Sequence, residues 1–144
     1  PFEMKTHVYL NFDGKTEEAF EFYRSVFGGD FTAKMKMSDA PDADKLQDEE
    51  RNRIMHISLP LGEGTTLMAS DILPSAGHQL TPGNNMYIML EPESRAEAKK
   101  IFDALSEGGE IEMALEDQFW GDYFGSFIDK FGVRWMVDLD SGKK

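Results

Sequence analysis

Ile54-Met55-His56-Ile57-Ser58-Leu59-Pro60-Leu61-Gly62-Glu63-Gly64-Thr65-Thr66-Leu67-Met68-Ala69-Ser70 decides the fold once it is set beside Tyr123-Phe124-Gly125-Ser126-Phe127-Ile128-Asp129-Lys130-Phe131-Gly132-Val133-Arg134-Trp135-Met136-Val137-Asp138-Leu139. Each stretch is a pair of apolar runs separated by a glycine-bearing turn, which reads as a β-hairpin. A shift of 68 positions (126 − 58) puts Ser58 on Ser126, Gly64 on Gly132 and Met68 on Met136. The segments upstream repeat as well. Glu18-Ala19 with Phe22-Tyr23 corresponds to Glu97-Ala98 with Ile101-Phe102, a shift of 79 (97 − 18), and both sets fall at helical spacing. Gly28-Gly29 stops the first helix and Gly108-Gly109 the second. The two shifts differ by 11 (79 − 68), so the first copy carries 11 extra residues, which matches an acidic stretch at 38–50.

Outward from the hairpins the order is strand, helix, strand, hairpin, and then the same again. The first copy reads as a strand at 3–12, a helix opening at Thr16 with Glu17 and Glu18 in its first turn, and a strand at 31–37. An exposed acidic excursion at 38–50 with a single helical turn precedes the hairpin of 54–61 and 65–70. The second copy reads as a strand at 85–90, a helix at 93–106, a strand at 110–115 and a hairpin of 123–128 and 133–139. The fold class is therefore α+β, built from duplicated βαβββ modules in one domain of residues 1–144. The repeats span 1–71 and 85–140, with the Pro/Gly-bearing loop 72–84 between them.

The chain has 144 residues and a mass of 16.3 kDa, within the usual size of one domain. Acidic residues outnumber basic ones 27 to 15, giving a net charge of −12, which argues against nucleic acid or an anionic membrane as partner. No apolar run approaches the roughly 18 residues of a membrane span, and no signal peptide is recognisable, so a cytoplasmic location is the expectation. The absence of cysteine removes thiol catalysis, thiolate zinc sites and disulfides together.

The duplicated module resembles the vicinal oxygen chelate superfamily, which includes glyoxalase I, the bleomycin and fosfomycin resistance proteins and extradiol dioxygenases. Phe119-Trp120-Gly121-Asp122-Tyr123-Phe124-Gly125, with Asp129, Gly132, Val133, Arg134, Trp135 and Met136 beyond it, is similar to the PhnB-like branch. So are Leu10-Asn11-Phe12-Asp13-Gly14, Glu18-Ala19-Phe20, Phe22-Tyr23, Met55-His56 and Leu67-Met68-Ala69-Ser70-Asp71. The likeness covers nearly the whole chain apart from the acidic excursion. Lys130 departs from it, because proline usually follows the aspartate of the last hairpin. The resemblance implies open half-barrels around a cavity, and a homodimer in which modules of two chains combine, with exchanged segments as one arrangement.

Enzymes of this superfamily hold a divalent metal with His, Gln or Glu on the first and last strands of the modules. Carried onto this chain, the first-strand position is His7 and its counterpart 79 residues on is Met86; the last-strand positions are Met136 and Met68. Only His7 matches a ligand position. Thioethers are poor ligands for the divalent ions that prefer imidazole and carboxylate. Three thioethers and one imidazole would suit Cu(I) on softness, yet nine methionines are spread through the chain, and methionine commonly fills cores. The expectation is no metal, no cofactor, and an apolar site lined by Met68, Met86 and Met136.

His56, like His7, is a catalytic candidate: a general base facing the same site, or a strand histidine bonded to a neighbour. Tyr9 and Asn11 share the strand face of His7, and Asn11 could orient a ligand or serve the fold. Ser70, Asp71, Arg134 and Asp138 could supply polar contacts, or pair among themselves and with water. Trp120 sits among Phe119, Tyr123, Phe124 and Phe127, as pocket lid, stacking surface, core or interface. His78 lies in a loop and is expected to be solvated. The glycine pairs follow helices, so no phosphate loop is read, and no Ser/His/Asp arrangement is visible. Three functions stay open. One is a metal-free binding protein for an apolar or aromatic small molecule. Another is a metal-dependent or His-based lyase, isomerase or transferase. The third is an assembly module that supports a partner.

Overall fold

The computed structural model describes residues 1–143, which form two compact units, Pro1–Thr81 and a second beginning at Pro82. The first runs β1 (Val8–Phe12), α1 (Thr16–Phe27), β2 (Ala33–Lys36), α2 (Asp48–Arg51), β3 (Ile54–Pro60) and β4 (Thr66–Asp71). The second runs β5 (Ile88–Leu90), α3 (Arg95–Ser106), β6 (Glu110–Asp117), β7 (Tyr123–Ile128) and β8 (Arg134–Leu139). Strand order is β1-β4-β3-β2 in one open sheet and β5-β8-β7-β6 in the other. In both, the first strand lies parallel to the last and the remaining pairs are antiparallel. The α+β fold with duplicated βαβββ units is the one read from the sequence. Among the described residues no helix is long and apolar enough to cross a membrane.

Strand alternation divides each sheet into a helix-covered face and an open face. Under α1, the residues Ala19, Phe20 and Tyr23 are buried together with Ile57, Leu59, Leu67 and Ala69. Under α3, Ala98, Phe102 and Leu105 are buried with Phe127, Trp135, Val137 and Leu139. Equivalent pairs fill the space differently. Ile57 faces Ala69 across β3 and β4, whereas Gly125 faces Val137 across β7 and β8. Gly125 is required by close approach: a Cβ there would stand 2.7 Å from Phe102 Cε2 and 2.8 Å from Leu115 Cα. The space a side chain would take at Gly125 is filled by the Phe102 ring and the Leu115 backbone, keeping that core close-packed.

The helix ends show where local sequence acts and where it does not. Gly28, at φ 81°, closes α1 with its N–H donating to the Arg24 carbonyl at 2.8 Å. The second helix begins at Arg95, two residues later than the pattern at 93–106 suggests. Ser94 caps it by accepting from the Glu97 N–H at 3.1 Å, and Glu97 in turn accepts from the Glu93 N–H at 3.2 Å. At α1 the N-cap residue is Lys15, which supplies no side-chain cap. Asp71, at the end of β4, does it instead: Oδ1 accepts from the Thr16 N–H at 3.1 Å and the Thr16 hydroxyl at 2.7 Å, and Oδ2 from the Ile54 N–H at 2.8 Å.

Further expectations change, and β2, read at 31–37, is Ala33–Lys36 while β5, read at 85–90, is Ile88–Leu90. β1 begins at Val8, because residues before it have no strand partner in the β1–β4 ladder. β6 continues to Asp117, with two register irregularities against β7. The acidic stretch is more than an exposed excursion. It forms two single 3-10 turns, Met37–Asp39 and Ala43–Lys45, and then α2, and it buries Met37 and Glu50. Glu50 Oε2 accepts from the Ser75 N–H at 3.1 Å, and these bonds from Ser75 hold its carboxyl below the usual range. Arg53 ties the stretch down from the other side, donating to Glu49, Asp13 and the Ile72 carbonyl at 2.8, 2.7 and 3.0 Å.

Candidate functional site

The open face of the first sheet gathers six residues singled out in the sequence. In the parallel β1–β4 ladder Tyr9 is level with Met68 and Asn11 with Ser70. In β3–β4, Ser58 is level with Met68, and in β2–β3, Met35 is level with His56 and Ala33 with Ser58. His7 lies just before β1, exposed, with Nδ1 accepting from the Thr66 N–H at 3.1 Å. The Ser70 hydroxyl donates to Asn11 Oδ1 at 3.3 Å.

The centre of this face is His56. Its Nδ1 stands 3.1 Å from the Tyr9 hydroxyl and its Nε2 stands 2.9 Å from Ser58 Oγ. The Tyr9 ring stacks on the imidazole, with centroids 5.7 Å apart and planes inclined by 26°. Ser58 is buried while Tyr9 is 50% exposed, so the chain Ser58–His56–Tyr9 runs from inside the sheet to its surface. Met35 and Met68 flank it. Sequence reasoning missed Ser58 and Met35, although strand alternation signals them both: each shares the parity of His56 or its cross-strand partner.

The second sheet's open face has a different composition. Met89 is level with Met136, which is level with Ser126, which faces Met113. Tyr87 donates its hydroxyl to Glu112 Oε1 at 2.8 Å, and Arg134 Nη1 reaches Glu112 Oε2 at 3.1 Å. Arg134 therefore pairs with Glu112 and not with Asp138. Asp138 instead meets the Asp122 carboxyl. Trp120 is half exposed in the β6–β7 turn, edge-on to Phe119 and Phe124.

Two assignments are corrected by register. Leu67 and Trp135 are equivalent by the hairpin shift, and they pair with Val8 and Ile88, so the strands correspond at a shift of 80 (88 − 8). The counterpart of His7 is therefore Tyr87, not Met86. The connection from strand to helix is one residue shorter in the second unit, and a slip of one residue transfers a side chain to the opposite face. Met86 lies outside β5 and is 77% exposed. Asp71, read as a possible ligand contact beside Ser70, points instead to the helix-covered face, where it caps α1. His78 is exposed as expected but also fastens its own loop, accepting from the Leu73 N–H at 3.0 Å.

The four positions that would hold a superfamily metal are thus His7, Tyr87, Met68 and Met136. One imidazole, a phenol already donating to Glu112, and two thioethers do not fit a divalent ion. Among the described residues no group of three His, Cys, Asp or Glu side chains is placed to hold one. A hollow of about 640 Å³ lies along α3, lined by Arg95, Lys99, Asp103 and Tyr123. Two of the cations that line it are engaged, Arg95 with Asp117 at 3.0 Å and Lys99 with Asp103 at 2.7 Å.

Asp138 carries the one large electrostatic perturbation of this face. Burial, then the hydrogen bond and charge of Asp122, then the charges of Glu91 and Asp140, push its carboxyl up to about 6. The unfolded carboxyl loses its proton near 3.8. Between those values the folded state holds an extra proton, so stability falls as pH rises from about 4 to about 6 and then levels off. Asp138→Asn is expected to raise the unfolding free energy at pH 7.5 by about 1 kcal/mol, discounted for partial exposure, and to flatten that window. Urea unfolding of both proteins at pH 4.5, 6 and 7.5 measures it.

Paired βαβββ units, each an open four-stranded sheet with its first strand parallel to its last, define a glyoxalase-like protein. A profile of the Glyoxalase/Bleomycin resistance protein/Dioxygenase superfamily matches residues 6–137, and the chain belongs to that superfamily. It is 30% identical to protein YjdN of Escherichia coli, over 94% of this chain and 95% of that one. The crystal structure of protein PA1353 from Pseudomonas aeruginosa superposes with a TM-score of 0.85 at 37% identity, covering 96% of this chain and 98% of that one. The PhnB protein of Bacillus cereus superposes with a TM-score of 0.75 at 26% identity, covering 94% and 99%.

Proposed function

We propose that this protein binds an apolar or aromatic small molecule on the open face of its first sheet, without metal, as a homodimer whose second copy closes the site. The observation that carries the reading is the composition of that face. Tyr9, Met35 and Met68 surround His56, on a chain that is 29% charged residues. Ligand sites are mostly apolar with a few convergent polar groups, and a stacked Tyr–His pair between thioethers has that character. Exposed Tyr9, Met35, Met89 and Met113 leave apolar area on both open sheet faces that a second copy would cover. The net charge of −12 repels anions at long range, so a neutral ligand is favoured.

Native mass spectrometry of protein purified without chelator, with and without added Mn²⁺, Ni²⁺ and Zn²⁺, tests assembly and metal together. The expected species is a dimer with no stoichiometric metal. One metal per chain, lost on His7→Ala, would overturn the reading in favour of a metal-dependent lyase or transferase. For the ligand, a neutral naphthyl fluorophore titrated into the protein is expected to bind. Met68→Lys is expected to weaken that binding at least about tenfold, since it sets a charge in the apolar centre.

A further inference from the structure

We infer that Tyr9, His56 and Ser58 form a proton-accepting relay, and that the ligand of this face carries an acidic hydroxyl, phenolic or enolic, on its apolar ring. The inference rests on the binding reading above and concerns the chemistry of that same site. Both ring nitrogens of His56 are occupied, Nδ1 by the Tyr9 hydroxyl at 3.1 Å and Nε2 by Ser58 Oγ at 2.9 Å. The imidazole therefore has no free nitrogen with which to meet a ligand directly. What the chain presents to the open face is the Tyr9 oxygen, on a ring that is 50% exposed, while Ser58 at the other end is buried.

A histidine held between two hydroxyls supports either neutral tautomer. With Nε2 protonated, the imidazole donates to Ser58 and receives the Tyr9 proton, leaving a lone pair of the phenol oxygen facing outward. With Nδ1 protonated, the direction reverses and the Tyr9 O–H faces outward. An apolar ligand with no polar group uses neither state. A ligand hydroxyl uses both: it donates to the Tyr9 oxygen before transfer, and its oxyanion accepts from the Tyr9 O–H afterwards. In the transfer the ligand O–H bond breaks and its proton joins the Tyr9 oxygen. The proton of Tyr9 passes to Nδ1, and no other reactant is needed. The products are a ligand oxyanion and an imidazolium whose two N–H groups donate to Tyr9 and Ser58. The module's own duplicate serves as contrast. At the equivalent positions the second sheet has Met89 for Tyr9 and Phe124 for His56 and keeps only Ser126 for Ser58. The relay thus stands on one face alone.

The test uses 4-nitrophenol, whose ionised form is coloured, and 4-nitroanisole, its non-ionisable methyl ether, each titrated into the intact protein and into Tyr9→Phe and His56→Gln. Tyr9 is half exposed and His56 lies on the open face, so both variants keep the helix-covered core. The expected result is a ratio of bound phenolate to phenol raised about tenfold over free dye at the same pH, one unit of apparent acidity. Both variants lose that gain, read in each protein as the phenolate-to-phenol ratio of its own bound dye, a ratio that a change in nitroanisole affinity does not move. The protein's negative charge opposes ionisation, so a rise in phenolate reports the local imidazolium. A tenfold rise retained in Tyr9→Phe overturns the relay. So does nitrophenol bound with no rise in phenolate, an outcome that leaves the aromatic-ligand reading standing. If neither dye binds, that reading falls and takes the relay with it.

Discussion

Replacing Asp71 by alanine is expected to lower the unfolding free energy by about 4 kcal/mol and the melting temperature by roughly 10 °C. One buried carboxylate, 5% exposed, serves two places at once. Through Oδ1 it caps the start of α1 at Thr16, and through Oδ2 it takes the Ile54 N–H where β3 begins. Alanine orphans two buried backbone N–H groups and the Thr16 hydroxyl, and each lost bond to a charged acceptor is worth about 1.5–3 kcal/mol before relaxation. Asparagine separates the terms. It keeps an Oδ1 acceptor for Thr16 but turns an NH₂ toward the Ile54 N–H, so Asp71→Asn is expected to cost about half as much. Equal losses in the two variants would place the whole effect at Ile54. The open face lies on the other side of β4, so dye binding measured below the transition should be unchanged in Asp71→Asn.

Asp71 also shows what could be read in the sequence and what could not. Periodicities are local, and so the two hairpins, both helices and the βαβββ order were legible. Glycine stops and the Ser94 cap are local too. The cap of α1 arrives from 55 positions away, and no spacing rule reaches that far. The same limit explains the candidate site. Parity along β1 put Tyr9 and Asn11 on the face of His7, and His56, Met68 and Ser70 were candidates for the same site. Which nitrogen of His56 would meet which hydroxyl depends on cross-strand register, which only the paired ladder supplies. Met86 was misplaced for a related reason. A shift measured on the helix was carried over a connection one residue shorter, and in a strand one residue is the difference between the two faces. Glu50 was hidden by its company: amid acidic neighbours it reads as surface, yet it is the member of that stretch that points inward and takes the Ser75 N–H.

The hairpin turns of the two units offer an internal comparison for the last expectation, the replacement of Asp129 by alanine. Each turn is closed by the same backbone bond, Leu61 N–H to the Thr65 carbonyl at 2.9 Å and Asp129 N–H to the Val133 carbonyl at 2.8 Å. The second turn adds a side chain to it. Asp129 Oδ1 accepts from the Phe131 and Val133 N–H groups at 2.8 and 3.0 Å, and Oδ2 from Trp135 Nε1 at 2.8 Å. The donors are residues 131 and 133, so lysine or proline at 130 serves these bonds equally, and the departure at Lys130 leaves the turn intact. At the equivalent positions the first unit has Leu61 and Leu67. An apolar pair there became a hydrogen-bonded pair here: the larger indole fills the core with no exposure, and Asp129, 3% exposed, satisfies its N–H. Asp129→Ala is expected to cost about 3–4 kcal/mol, because it leaves the buried indole N–H and two turn N–H groups without this acceptor. Asp129→Asn with Trp135→Phe resolves the parts by a double-mutant cycle. Asparagine alone sets an NH₂ against the indole N–H, and phenylalanine removes that conflict, so the double variant should lose less than the sum of the two single losses by about 1 kcal/mol. Strict additivity would mean that the indole bond contributes nothing and that Asp129 acts only on the turn.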